Sequence, residues 1–322
     1  MSSELPINLE LAVPVELGGR RLDRVAAELF DEYSRASLAA WIQCGDLTLD
    51  GRAVKPRTRV IGGEVLRLST VVRPREDWLT GQDVPFEVVY EDASMLVVAK
   101  PVGIVVHPGA GNPDGTLVNG LLQYREALSL LPRAGIIHRL DKDTSGLLLV
   151  AATLQSQQAL TRALAAREIE RRYLAITEGL MISGRDIESP IGRDPRHRTR
   201  QKVRADGRPA LTRVRLRQRY RAHCLIEAEL ATGRTHQIRV HLASVGHPLV
   251  GDRRYGARGK LPRGADPALV ECLQGFDRQA LHAYKLVLSH PETGEKMAFE
   301  SAMAPDMAEL VGHLERDLEA GV

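Results

Sequence analysis

The sequence predicts an α+β protein with two domains: a small N-terminal α/β module, then a larger domain built on a mixed, largely antiparallel β-sheet with flanking helices. Three observations lead to this class. The 322 residues exceed the usual size of one domain. Predicted strands in the larger part follow one another through short turns and do not alternate regularly with helices. A charged stretch around Pro74, poor in apolar residues, separates the two parts. We therefore predict an N-terminal tail (1–15), the small module (16–72), a linker (73–84) and the larger domain (85–322).

The small module is predicted to contain two short helices followed by strands. Its apolar residues recur at helical spacing near 22–30 and 38–42. The segment 47–49 reads as a strand that ends at the turn signal Asp50-Gly51, and 65–68 reads as a further strand.

The larger domain opens with predicted strands and ends with a helix. Its predicted elements are strands at 88–90 and 95–99, a helix near 156–167, a hairpin formed by 282–288 and 296–299, and a closing helix at 307–314.

Basic residues are concentrated in one part of a chain whose net charge is only +3. From Arg193 to Arg221 there are twelve arginines or lysines against two aspartates. Within this run, uncharged residues alternate with arginines from Thr212 to Arg219, so a strand here would carry an arginine stripe on one face. An ordinary solvated face can have the same composition, but the weighting toward arginine favours RNA as a partner.

Cysteine content and the N-terminus predict the compartment. Cys44, Cys224 and Cys272 form no Cys-x-x-Cys pair, which argues against a disulfide framework and a zinc site. The N-terminus has no cationic start followed by an apolar stretch, and no run approaches the roughly 20 apolar residues of a membrane span. We predict a soluble, cytoplasmic monomer with no metal, no membrane contact and no obligatory protein partner.

A polar segment, 138–145, lies between two apolar runs. These runs, Ile136-Ile137 and 147–151, must be buried, so the segment is held on the core without being part of it. Arg139 and Lys142 place cations near Asp141 and favour its ionised form. An Asp in a loop is commonly a turn former, but an ionised and positioned Asp can act as a nucleophile or a base.

The sequence His-Arg-Leu-Asp-Lys-Asp-Thr-Ser-Gly-Leu at 138–147 resembles the catalytic motif of the RluA-type pseudouridine synthases. Two further motifs follow in order, because 172–175 is similar to the family's tyrosine motif and 233–241 to its arginine motif. Segments 107–116 and 247–252 most resemble the branch that modifies large-subunit ribosomal RNA. The resemblance spans nearly the whole chain, with departures at both termini and at 253–266.

By this resemblance, the protein converts uridine to pseudouridine in RNA. Asp141 would be the essential residue, Arg239 its ion-pair partner, Tyr173 the aromatic wall for the base, and Arg139 the side chain that fills the space left by a flipped nucleotide. The uracil is detached, turned and rejoined through C5, so nothing is consumed and no cofactor is implied. Attack by Asp141 on the anomeric carbon and removal of the neighbouring sugar proton both stay open as the first step. We expect Arg239 on a helix with Thr235 as N-cap and Gly246 after its end.

Patterns in the small module are similar to the alpha-L RNA-binding domain of some ribosomal proteins and synthetases. They are an Arg-Leu-Asp start, a Ser-Arg-x-Ser-Leu helix and a Val/Leu-x-x-Gly turn. The resemblance implies contacts between RNA phosphates and Arg21, Arg24 and Arg35. The arginine stripe adds Arg213 and Arg215 as candidate RNA contacts.

Other functions fit parts of the sequence. Asp141-x-Asp143-Thr144 is similar to the short Asp-x-Asp-x-Thr signature of magnesium-dependent haloacid-dehalogenase-like phosphatases, but those enzymes need a doubly wound parallel fold, and the sequence shows no strand-helix alternation to form one. A non-catalytic RNA-binding or ribosome-assembly factor would explain the basic residues but not the segment around Asp141. His236 and His241 are five residues apart, which does not place them on one helical face as a metal pair, so we expect His236 to support the site or the fold.

Overall fold

The computed structural model describes residues 5–30, 33, 35–72, 80–109, 112–197 and 199–321. The chain divides into two compact units, Met1–Leu79 and Thr80–Val322. Of the linker predicted at 73–84, residues 73–79 lie outside the described residues. No helix in the described ranges is long and apolar enough to cross a membrane.

The first unit combines a three-stranded antiparallel sheet with two helices. Strands β1 (Leu5–Ala12) and β2 (Leu47–Leu49) both pair with the central β3 (Val65–Val72). Helices α1 (Leu22–Leu29) and α2 (Arg35–Cys44) occupy the two segments with helical spacing, so that prediction is confirmed. The helices and the sheet share one buried cluster, which includes Leu22, Val25, Ala26, Leu38, Ile42, Leu47, Leu66 and Leu68.

Strand β1 corrects the prediction that 1–15 is a tail. It pairs with β3 along its whole length, from Leu5 opposite Val72 to Ala12 opposite Val65. The alternation of Ile7, Leu9 and Leu11 with polar residues is the pattern of such a strand. The pairing satisfies backbone groups of β3 that the three-residue β2 cannot reach.

The second unit contains both strands and helices. Its strands are β4 (Glu87–Glu91), β5 (Met95–Lys100), β6 (Ser145–Ala151), β7 (Glu170–Glu178), β8 (Arg185–Glu188), β9 (Ile191–Arg193), β10 (Gln201–Val203), β11 (Leu211–Arg219), β12 (His223–Leu230), β13 (Leu281–Ser289) and β14 (Lys296–Glu300). Its α-helices are α3 (Leu117–Tyr124), α4 (Leu154–Ala166), α5 (Gln237–Ser244), α6 (Pro267–Gly275) and α7 (Pro305–Ala320).

Nine of the described strands form one mixed sheet in the order β4-β5-β6-β13-β7-β12-β11-β8, with β14 also paired to β13. Among these described pairs, β6 and β13 run parallel and the rest run antiparallel. The predicted α+β class with a largely antiparallel sheet is therefore confirmed. Strands β9 and β10 form a separate two-stranded hairpin that the sequence analysis did not identify.

Buried clusters bind the helices to this sheet. Leu160 of α4 packs with Leu147 and Leu149 of β6 in one cluster. Helices α6 and α7 contribute Leu269 and Leu310 to another, together with Ile176 of β7. Strands β6 and β7 are thus held by packing, and the loops at their ends have rigid supports.

Candidate active site

The polar segment around Asp141 is held at both ends by strand pairing. Ile136 and Ile137 are buried beside β6, and the Ile137 N–H donates to the Leu149 carbonyl at 3.1 Å. The segment between Ile137 and β6 ends in a turn, in which the Thr144 N–H donates to the Asp141 carbonyl at 3.1 Å. The side chain of Asp141 is 17% exposed, so it lies on the core and still reaches solvent.

Three donors fix the backbone of this loop. Lys100, buried at the end of β5, donates from Nζ to the Lys142 carbonyl at 2.9 Å and to two carbonyls just after β5. The Gly103 N–H donates to the same Lys142 carbonyl at 3.1 Å. Arg278 Nη1 donates to the Asp143 carbonyl at 3.2 Å. These bonds restrict the loop and thereby position Asp141.

Arg239 lies between two carboxylates. Its Nη1 donates to Asp141 Oδ2 at 2.8 Å, while Nε and Nη2 donate to Asp252 at 2.7 and 2.9 Å. Burial by itself would lower the pKa of Arg239, but Asp252 and Asp141 outweigh it and raise the pKa. The bidentate contact with Asp252 fixes the guanidinium plane, so Arg239 presents one defined N–H to Asp141. The predicted contact between Arg239 and Asp141 is present.

The start of α5 differs from the prediction. Thr235 is not the N-cap; that position is His236, whose φ of 55° is left-handed and whose side chain makes no capping bond. Instead Gln237 folds back, and its Oε1 accepts from the Arg234 N–H at 3.0 Å. Because the side chain of His236 is not used for capping, it is available to the site.

His236 is oriented by Tyr255. The hydroxyl of Tyr255 accepts from the Gln201 N–H at 2.9 Å and lies 2.6 Å from His236 Nδ1. The Tyr255 hydroxyl can donate its proton in a hydrogen bond to His236 Nδ1, and in that tautomer the ring proton of His236 is on Nε2, 3.9 Å from Asp141 Oδ1. Burial lowers the pKa of His236 and favours this neutral form. His241 is used differently, since its ring contacts Thr212 Oγ1 and the Ser189 carbonyl, both at 2.9 Å.

A cleft of about 390 Å³ lies at this site, and Asp141, His236, Arg239 and Asp252 are among the residues that line it. Six of the lining residues are Arg or Lys and four are Asp, so the cleft has a cationic excess that suits a nucleotide. The charged lining residues are Arg139, Asp141, Lys142, Asp143, Arg239, Asp252, Arg253, Arg254, Asp277 and Arg278.

Tyr173 is placed near Asp141 but does not line the cleft. It belongs to β7 and is buried, with 4% of its surface exposed. Burial raises the pKa of its phenol, and the nearby charge of Asp141 raises it further. No pattern in the sequence indicated that Asp252, Tyr255 and Lys100 belong to the site. Asp252 lies within a motif that was noticed, but nothing in its spacing indicated a contact with Arg239.

The arginines predicted to contact RNA differ in their exposure and in whether they pair with a carboxylate of the protein. Arg139 and Arg24 are exposed. Arg21 and Arg35 both donate to Asp23; burial alone would raise the pKa of that carboxyl, but the two guanidinium groups outweigh it and hold the pKa below its ordinary value.

On β11 the arginine stripe is partly neutralised and partly interrupted. Arg213 pairs with Glu229 at 2.7 Å, whereas Arg215 is exposed. A register shift between Leu216 and Gln218 interrupts the alternation, and Arg217 pairs with Glu227. The stripe therefore carries less free positive charge than the sequence indicated.

The fold and the site define a class of protein. The family of RNA pseudouridylate synthases matches residues 94–244, and this chain belongs to that family. The solved structure of human RNA Pseudouridylate Synthase Domain Containing 1 is similar, with a TM-score of 0.55 and 25% identity over 72% of this chain and 89% of that one. Human RNA Pseudouridylate Synthase Domain Containing 4, at 22% identity and a TM-score of 0.56, shares the fold over 71% of this chain and 93% of that one.

More similar relatives bear one name. The chain is 50% identical to Ribosomal large subunit pseudouridine synthase D of Xanthomonas campestris pv. campestris, over 96% of this chain and 93% of the relative. It is 48% identical to the protein of that name from Pseudomonas aeruginosa, over 96% of this chain and 97% of the relative. The recognition of the family from its motifs is confirmed, as is the assignment of the protein as an RNA pseudouridine synthase.

Proposed function

We propose that this protein converts specific uridines of large-subunit ribosomal RNA to pseudouridine, with Asp141 as the essential residue. The observation that carries the proposal is the partly exposed Asp141 held by Arg239 in a cationic cleft. The family supplies the reaction, and the names of the full-length relatives supply the class of RNA. We further propose that the protein acts as a cytoplasmic monomer.

The two carboxylate oxygens of Asp141 have different neighbours. Oδ2 accepts the hydrogen bond from Arg239, whereas Oδ1 faces His236 Nε2 at 3.9 Å, a distance too long for a direct hydrogen bond. Oδ1 is thus the oxygen offered to the sugar. It can form a bond to C1′ or take the proton from C2′, and in both routes the uracil leaves with the electrons of the glycosidic bond.

The phosphatase alternative is not supported by the fold. An aspartyl phosphatase of that type needs a doubly wound parallel sheet, and the observed sheet is largely antiparallel. The non-catalytic alternative leaves the Asp141–Arg239–Asp252 arrangement without a use.

Tritium release tests the proposed function. Large-subunit ribosomal RNA carrying uridine labelled at C5 is incubated with the protein in the presence of a metal chelator. We expect tritium to enter the solvent, because joining the sugar to C5 displaces the label. Failure of the folded protein to release tritium from unmodified RNA would favour the non-catalytic binding factor.

Arg139 is expected to act on the flipped nucleotide. It is exposed and lines the cleft near Asp141. Arg139→Ala should slow single-turnover tritium release from a folded stem-loop more than from an unstructured RNA, because unstacking costs a few kcal/mol only in the stem-loop. Equal rate losses on the two RNAs would contradict this role.

Lys100 makes the site sensitive to alkaline pH. Burial lowers the pKa of Lys100 to about 8, and only the ammonium form has three N–H donors for its three carbonyl acceptors. As the pH rises through about 8, we expect wild-type turnover to fall because the loop loses a hydrogen bond. The contribution of Lys100 to stability changes in the opposite direction to turnover. The folded pKa lies below the unfolded value, so between the two the unfolded chain binds more protons and the free energy of unfolding rises with pH.

Paired pH profiles check this prediction. Tritium release is measured against pH for wild type and for Lys100→Met, and RNA binding is measured at the same pH values. The variant should be slower and should lack the loss of rate near pH 8. An identical alkaline limb in both proteins would assign that titration to another group.

A further inference from the structure

Arg171 is a buried cation that the proposed mechanism has not used. It lies on β7 with 7% of its surface exposed. Its Nη2 donates to the Leu230 carbonyl at 3.3 Å, and its Nε has no hydrogen-bond partner among the described residues. A Cβ at Gly233 would lie 2.9 Å from Nη1, so the loop that leads to α5 passes directly over the guanidinium.

Arg171 has no carboxylate partner within the described part of the chain. Burial lowers the pKa of Arg171, and Tyr173 is the titratable group among the described residues that acts in the other direction. A buried charge without a counter-ion is costly to the folded state, and proteins normally pair such a group. Arg239 is the contrast, since it has two carboxylates and is fully paired before substrate binds.

Tyr173 connects Arg171 to the reaction. Arg171 and Tyr173 are two residues apart on one strand, and both side chains are buried, so they share a face of the sheet. Burial has the largest effect on the pKa of the Tyr173 phenol and raises it, while the charge of Arg171 lowers this pKa and the charge of Asp141 raises it further. Tyr173 is therefore within electrostatic range of both the cation and the carboxylate.

We infer that Arg171 is a positioning residue whose charge, uncompensated among the described residues, favours the uracil anion that forms at Asp141, in the electrostatic neighbourhood of Tyr173, when the glycosidic bond breaks. The inference rests on the proposed function and deepens it by assigning the electrostatic partner of the detached base. A buried cation is stabilised by a neighbouring anion, and the detached uracil is such an anion at one stage of the catalytic cycle only.

The charges balance through this step. Asp141 gives up its negative charge, either by forming an ester to C1′ or by taking the C2′ proton, whose bonding pair becomes the C1′=C2′ double bond. In each route the C1′–N1 bond breaks and its electron pair stays with uracil, which becomes an anion spread over N1, O2 and O4. The negative charge thus moves away from Arg239, which keeps Asp252, and toward Arg171, which has no carboxylate partner among the described residues.

Rate and stability should respond in opposite directions to Arg171→Met. We expect the single-turnover rate of tritium release to fall about 100-fold, the usual effect of removing one charge-stabilising group, with RNA affinity in filter binding unchanged. The thermal midpoint should stay the same or rise, because an unpaired buried charge has been removed. Arg171→Lys, which keeps the charge, should recover most of the rate.

The leaving group provides a second readout. Fluorine at C5 withdraws electrons and stabilises the uracil anion without help from the protein. The ratio of wild-type to Arg171→Met rates should therefore be smaller for RNA carrying 5-fluorouridine at the target, measured by mass spectrometry of nuclease digests. A residue that only maintained the fold would give the same ratio for both bases.

Arg172→Met is the matched control. Arg172 is the next residue on β7, on the opposite face, and pairs with Glu170 at 2.6 Å. Its loss should lower the thermal midpoint and leave the rate almost unchanged. The inference about Arg171 is overturned if Arg171→Met releases tritium at the wild-type rate, or if it loses rate and stability together and Lys does not restore the rate. If wild type itself releases no tritium, the proposed function fails first.

Discussion

Asp141→Asn is expected to reduce tritium release by at least about 10⁴-fold, the scale on which an essential nucleophile or base contributes. The amide is the same size as the carboxylate and can still accept the hydrogen bond that Arg239 donates at 2.8 Å. It can neither attack C1′ nor take a proton from C2′ as a carboxylate would. The fold should be unaffected, because Arg239 keeps its bidentate partner Asp252.

Asp143→Asn is the matched control for this prediction. Asp143 is two residues away on the same loop and lines the same cleft, but what the loop uses from it is the backbone carbonyl that accepts from Arg278. Its rate should fall less than about tenfold. Comparable losses from both variants would contradict a unique role for Asp141 and revive the Asp-x-Asp signature as the catalytic pair.

Arg239→Met should cause large losses of both stability and activity. It would leave Asp141 and Asp252 without the cation they share, and Asp252 is almost fully buried. Breaking one side of a buried ion pair costs about 3–5 kcal/mol, so urea unfolding followed by circular dichroism should show a loss of that size. The rate should fall about 1000-fold because Asp141 loses its only direct ion pair to an arginine among the described residues.

A second substitution separates the two losses. In Arg239→Met combined with Asp252→Leu, the uncompensated carboxylate is removed as well, so most of the stability should return. Activity should not return, since Asp141 still has no cation to orient it. Rescue of the rate by the double variant would show that Arg239 serves the fold alone.

The sequence was most informative where a pattern is local. Helices α1 and α2 follow from apolar spacing of three and four residues, and the hairpin of β13 and β14 from a turn between two apolar runs. The motif around Asp141 could be read directly because its residues are contiguous. Strand β1 was not predicted, because its pairing with β3 joins residues about 60 positions apart. No local pattern in the sequence indicates a partner at that distance.

What the sequence alone determined is the family and the largely antiparallel fold, and through the resemblance it predicts Asp141, Tyr173 and Arg239 as site residues. The contact between Asp141 and Arg239, which are 98 positions apart, was expected only through the resemblance, and its geometry comes from the fold. Only the tertiary structure added Asp252 to that pair and placed Arg21, Arg35 and Arg213 in ion pairs. It also buried Arg171 where the described residues offer it no ion pair. The physical reason is that the effect of a charge depends on burial and on neighbours a few ångströms away, and these are set by how distant segments pack.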